Sequence, residues 1–120
     1  MPGGISIHVV DVSQGVPAAG MQVALYRLAD NGRIPLATGI VGANGVLPVP
    51  DSVGATPQSA ALYEAVFEVA DFYRRRGDAI PAPAFIEQAT YRFGIADPSQ
   101  HYHLPLKVTP WGYSLFRGGA

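Results

Sequence analysis

Apolar and polar residues alternate along this chain in short runs, with turn-forming residues between them roughly every 8 to 12 positions. That spacing predicts strands rather than helices. ISIHVVDV, residues 5–12, is the first such run, and SQGVPAAG after it supplies turn chemistry. MQVALYRL, 21–28, reads as a second strand ending at the polar turn Asp30-Asn31-Gly32. LATGIV, 36–41, is a shorter third strand running into Ala43-Asn44-Gly45, a tight-turn signal. The prolines of VLPVP restrict that piece to a sheet edge or strand end, and 51–60 is a polar loop. YEAVFEV, 63–69, resumes as strand, and ADFYRRRG, 70–77, is one short helical excursion closed by Gly77. Irregular AIPAPAF leads into a strand over 86–95, and ADPSQ turns the chain. Strands follow over 102–109, in spite of Pro105, and over 112–117. Seven or eight strands with one short helix predict an all-β, two-sheet sandwich; a small open barrel fits the same periodicity.

Composition narrows the classes of function. A hydrophobic share of 48% in 120 residues supports one core and a single domain over 1–120. With no cysteine, disulfides, thiolate nucleophiles and Cys-bound metal centres are ruled out. Eight basic residues against nine acidic ones leave a net charge of -1, a poor match to nucleic acid. No apolar stretch reaches the ~18 residues of a membrane span, and MPGGISIHVV lacks the basic start of a secretion signal. The expectation is a soluble, cytoplasmic domain whose partner is a small molecule.

Candidate chemistry rests on the three histidines, His8, His101 and His103, since imidazole is the side chain best poised for proton transfer near neutral pH. On a strand, 101, 103, 105 and 107 share one face, while Tyr102, Leu104, Leu106 and Val108 share the other. The second face reads as core, so the histidine face opens onto solvent, a cleft or a subunit interface. His8 shares its face with Ser6 and Val10 and, taken alone, reads as a satisfied, partly buried histidine. A His-X-His pair with His8 as third ligand sketches a metal site, but no nearby carboxylate supplies a fourth ligand, and no metal or cofactor is predicted. No G-x-S-x-G elbow and no phosphate-binding glycine loop is present. Glu64 and Glu68 read as a solvated sheet edge, Arg74 to Arg76 as a solvated helix face, and Trp111 and Tyr113 as core or interface packing. The residues alone leave open a histidine enzyme or a binding module.

Three segments resemble the transthyretin-like family, specifically its 5-hydroxyisourate hydrolase branch. They are IHVVDVSQGVPAAGMQVALYRL, YEAVFEVADFYRRRG and YRFGIADPSQHYHLPLKVTPWGYSLFRGG, together nearly the whole chain. HYH-x-P followed by GYS and an Arg-Gly pair is the specific part, and the hormone-carrier branch lacks these histidines. The resemblance implies an eight-stranded sandwich forming a homotetramer, a dimer of dimers with active sites in the channel between dimers. It implies cofactor-free ring opening by water attack on a carbonyl, in purine catabolism. By the same resemblance His8 and His103 are catalytic, Arg117 shapes the pocket or donates to the oxyanion, and His101 orients the strand or a partner.

This sequence departs from that family at three positions. An arginine follows the family's Asp-Gly turn, where Asn44-Gly45 is followed here by Val46. The family's terminal Tyr-Arg-Gly-Ser is Phe116-Arg117-Gly118-Gly119. Three hydrogen-bonding groups are thus missing, and two replacements are apolar. A pocket so lined, with Val46, Phe116, Gly119 and His101 as substrate-contacting residues, favours a substituted ligand such as an N-methylated 5-hydroxyisourate from methylxanthine degradation. The alternatives are an ordinary 5-hydroxyisourate hydrolase with compensating donors at Arg117, Lys107 or Arg33, and a non-catalytic ligand-binding protein.

Overall fold

In a computed structural model describing residues 3–119, the alternation resolves into two four-stranded sheets that enclose one hydrophobic core. The elements are β1 (Ile5–Asp11), β2 (Val16–Pro17), β3 (Gln22–Ala29), β4 (Gly32–Ile40), α1 (Asp51–Gly54), β5 (Ala61–Phe67), α2 (Val69–Arg76), β6 (Ala89–Ile95), β7 (Tyr102–Thr109) and β8 (Gly112–Leu115). The sheet orders are β2-β1-β7-β8 and β4-β3-β5-β6. The sandwich is therefore the architecture, not the open barrel. No helix among the described residues is long and apolar enough to cross a membrane.

Side-chain alternation decides what each strand gives to the core. Ile5, Ile7 and Val9 of β1 and Leu104, Leu106 and Val108 of β7 are buried, facing Val23, Leu25, Tyr63, Ala65 and Phe67 of the other sheet. Each such side chain contributes roughly 1.5–3 kcal/mol on burial. The intervening residues Ser6, His8, Val10, His103, Pro105 and Lys107 point the other way. Because the period is two, a one-residue slip would invert the faces, so burial of the isoleucines and leucines also fixes the outward position of the histidines.

Several elements differ from the sequence expectation. β4 begins at Gly32 rather than 36, and a two-residue turn at Asp30-Asn31 joins it directly to β3. It is an edge strand with a bulge opposite Leu25/Tyr26, the setting in which Pro35 is tolerated. β8 stops at Leu115 rather than Arg117. Pro105 has no N–H to give, and pairing lapses beside it, from Leu106↔Leu115 until the isolated bridge His103↔Gly118. The short β2 and the single turn of α1 went unpredicted, being too brief to show periodicity.

Two surface readings are also corrected. Glu64 is buried, accepting from Arg33 at 3.4 Å and from Arg92 at 3.0 Å. Arg76 leaves the solvated face to donate at 2.6 Å to the fully buried Asp11 carboxylate and at 2.7 Å to Asp78. Of the two readings of Trp111 and Tyr113, core packing is excluded, since both are exposed at the β7–β8 turn of a single copy.

Candidate active site

The parallel pairing of β1 with β7 joins the two ends of the chain, with Ser6 opposite His103 and His8 opposite Pro105. Ser6, His8 and His103 thus stand on one outward face, His8 and His103 as diagonal neighbours, and His101 lies just before β7. A turn clasps β1 from the side: Val9 N–H donates to Gly45 O at 2.8 Å, and Leu47 N–H to Ile7 O at 3.0 Å. This sets Val46 directly across from His8. On the far side, Gly118 N–H donates to His103 O at 2.8 Å, setting Gly118 across from His103.

Short polar contacts order the imidazoles. Ser6 Oγ lies 2.7 Å from His101 Nε2 and 2.7 Å from His103 Nδ1. His101 Nδ1 is 2.8 Å from the Gly3 carbonyl oxygen. His8 Nε2–H donates to Asn44 O at 3.2 Å. His103 titrates below its ordinary range, first because burial disfavours the cation and then because the His8 and His101 charges repel it. A neutral imidazole that persists below the usual range is a competent base.

Two glycines make the close approach possible. A Cβ on Gly118 would sit 2.8 Å from His103 Cδ2. A Cβ on Gly45 would sit 2.7 Å from His8 Nε2, and Gly45 also has φ of 85°, which side chains other than glycine rarely adopt. Sequence reasoning missed Gly45, Gly118 and Ser6 as site residues. Ser6 was findable, since it lies two positions before His8 and shares its face.

The remaining predicted site residues divide. Val46, 40% exposed, faces outward beside His8, because Leu47 takes the core position. Phe116, 47% exposed, lies on the histidine face with Lys107 Nζ 5.6 Å from its ring centroid. Gly119 follows the Gly118 bridge and has open space around it. Arg117 is not brought to the imidazoles. Its guanidinium stacks 4.0 Å from the Tyr102 ring centroid and donates to Gln100 Oε1 at 2.9 Å and His101 O at 3.2 Å. Between the Leu106↔Leu115 pair and the His103↔Gly118 bridge, residue 117 falls opposite Leu104, a core-facing position, so it sits at the sandwich edge near Tyr91 and Phe93. Arg33 is on the other sheet, over Tyr26 at 4.1 Å and paired with Glu64. Only Lys107, of the three compensating donors considered, shares the histidine face.

Three cavities among the described residues are lined by other parts of the molecule, and on a single copy the three histidines are only half-buried. No group of three or more His, Cys, Asp or Glu among the described residues is placed to hold a metal ion. What the face offers is a set of imidazoles, one hydroxyl and apolar flanks.

Residues 5–118 match the family described as HIUase/Transthyretin. A 5-hydroxyisourate hydrolase of Ralstonia nicotianae is 40% identical over 116 residues, covering 97% of this chain and 98% of that protein. The solved Klebsiella pneumoniae 5-hydroxyisourate hydrolase superposes with a TM-score of 0.79 at 29% identity, covering 99% of this chain and 100% of its own. An (S)-allantoin synthase structure superposes with a TM-score of 0.87 at 30% identity over 98% of this chain, which spans only 44% of that larger protein.

Proposed function

The chain belongs to the HIUase/transthyretin family, and we propose from that premise that it hydrolyses an N-methylated 5-hydroxyisourate in preference to the unsubstituted compound. That it is a hydrolase of the 5-hydroxyisourate type, acting in urate degradation, rests on relatives at 40% identity along nearly its whole length. The preference rests on one observation: Val46 stands directly across from His8, where a donor would otherwise meet the substrate. Phe116 and Pro105 extend the apolar flank beside His103. A ring N–H or carbonyl held against valine and phenylalanine loses a hydrogen bond, whereas a methyl group gains contact. Neither Arg33 nor Arg117 reaches this face to restore the missing charge.

In the proposed reaction one imidazole takes a proton from water as the oxygen adds to a ring carbonyl. The tetrahedral intermediate collapses with cleavage of the ring C–N bond, and the second imidazole returns a proton to the departing nitrogen. Water is added across the bond, and the proton taken up by the first imidazole passes through solvent to the second, which returns both histidines to their starting forms. His8 and His103 are the two groups, placed on neighbouring strands of one face.

On a single copy, histidines only half-buried would leave substrate in bulk water. The proposal therefore includes a homotetramer in which another copy covers the histidine surface, excluding solvent from the reacting carbonyl. The exposed Trp111, Tyr113 and Phe116 supply apolar area on the same sheet for such contacts.

Turnover of freshly generated 5-hydroxyisourate and its trimethyl analogue, measured side by side, tests the reading. A higher kcat/KM for the trimethyl compound is expected. Turnover of neither, by a folded protein, would favour the ligand-binding alternative.

A further inference from the structure

Ser6 is not among the residues to which the hydrolase reading assigns a role, yet it makes the two shortest contacts of the histidine face. Its Oγ touches His101 Nε2 and His103 Nδ1, each at 2.7 Å. The direction of this chain of bonds follows from its far end. The Gly3 carbonyl oxygen can only accept, so His101 Nδ1, 2.8 Å away, carries a hydrogen. With His101 neutral, its Nε2 is then a lone pair and must accept from the Ser6 hydroxyl. The single Ser6 hydrogen is thereby committed, and its oxygen accepts from His103 Nδ1–H. His103 is left with an unprotonated Nε2, which makes no hydrogen bond among the described residues.

We propose that Ser6, oriented by His101 and the Gly3 carbonyl, is a positioning residue that holds His103 in its Nδ1–H tautomer and presents Nε2 as the base. A carboxylate often does this for a catalytic histidine; here a serine and a second histidine do it without adding negative charge. His8 and Lys107 are the other titratable groups on the same outward face of β1 and β7, and neither hydrogen-bonds the His103 ring. The bond to Asn44 O makes His8 Nε2 a donor, so the two imidazoles differ in the ligand-free protein: His8 has its N–H engaged by a backbone carbonyl, whereas His103 holds a free lone pair on Nε2. The catalytic consequence rests on the hydrolase reading, whereas the tautomer itself does not.

Long-range proton–nitrogen NMR of the imidazoles, recorded on the ligand-free protein at about pH 8.5, where free imidazole is neutral, separates the two. Wild-type His103 is expected as the Nδ1–H form. Ser6→Ala should shift it toward Nε2–H, and Ser6→Thr, which keeps the hydroxyl, should restore the wild-type pattern. An Nε2–H spectrum for wild-type His103, or one unmoved by Ser6→Ala, overturns the proposal. Kinetically, Ser6→Ala should lower kcat on the order of tenfold to a hundredfold with KM little changed, less than losing the acid–base group itself. A tautomer shift without loss of kcat would refute the catalytic role. If the wild type turns over neither substrate the hydrolase reading fails, and the spectra still decide the relay.

Discussion

Gly118 and Gly45 crowd the two imidazoles for different reasons, and the difference can be measured. Gly118 has no positive φ, so Gly118→Ala meets side chains alone, the His103 ring at 2.8 Å and Pro105 Cγ and Cδ at 3.3 Å. It should displace the imidazole and cut turnover by about tenfold or more while leaving stability nearly unchanged. Gly45→Ala adds a left-handed backbone penalty, about 1–2 kcal/mol, to a contact with His8 Nε2 and should lower both activity and the urea midpoint. Equal stability losses in the two variants would contradict this account. His103→Ala and His8→Ala should each reduce turnover on the order of 10² or more. Since burial and its neighbours' charges hold His103 below 6.5, the acid limb of kcat/KM should fall below that value. A limb at or above it would mean that another group sets the rate. Val46→Arg, restoring a cation beside His8, should move preference toward the unsubstituted substrate.

At the scale of elements, α2 is tied to β1 by one buried carboxylate. Asp11 accepts from Ser13 Oγ–H at 2.6 Å, Tyr73 Oη–H at 2.7 Å and Arg76 at 2.6 Å. Burial alone would raise its proton affinity, but bonds from Ser13, Arg76 and Tyr73 outweigh this and hold the carboxyl below 3.8. The folded state therefore binds this proton less readily than the unfolded chain. The stabilisation is present in full above the unfolded value and is lost as pH falls from there through the folded one. Asp11→Ala should cost about 3 kcal/mol by urea unfolding at neutral pH, the low end for a broken buried pair. Arg76 keeps Asp78, and Tyr73 keeps the Val108 carbonyl at 3.2 Å. A variant as stable as wild type would show the network to be incidental. The sequence read Arg76 as solvated because helix position and charge predict exposure, whereas its partner is 65 residues away. The same limit explains Glu64. Strand alternation, by contrast, placed His103 outward and Leu104 inward correctly, since a buried face imposes that pattern locally.

At the scale of the molecule, the legible part of the site was its histidines and the illegible part was their surroundings. HYH and the first-strand histidine stand out by residue type, but their meeting depends on a parallel pairing across 97 positions, which no local pattern encodes. Arg117 was expected at the site as well; within one copy it stacks on Tyr102, because its register with Leu104 turns it inward. Sedimentation should find the chain in fours, with dissociation on introducing a charge at Trp111, a residue 62% exposed on one copy. A monomer that retains full turnover would contradict the need for a second copy over the histidine face.

The central claim is that imidazoles on this face open a methylated ring. The most direct measurement is kcat/KM of wild type and His103→Ala on 5-hydroxyisourate and its trimethyl analogue, each generated in the assay. The account predicts faster wild-type turnover of the trimethyl compound, reduced on the order of 10² or more in His103→Ala. Preference for the unmethylated compound, or undiminished turnover in the variant, would contradict it.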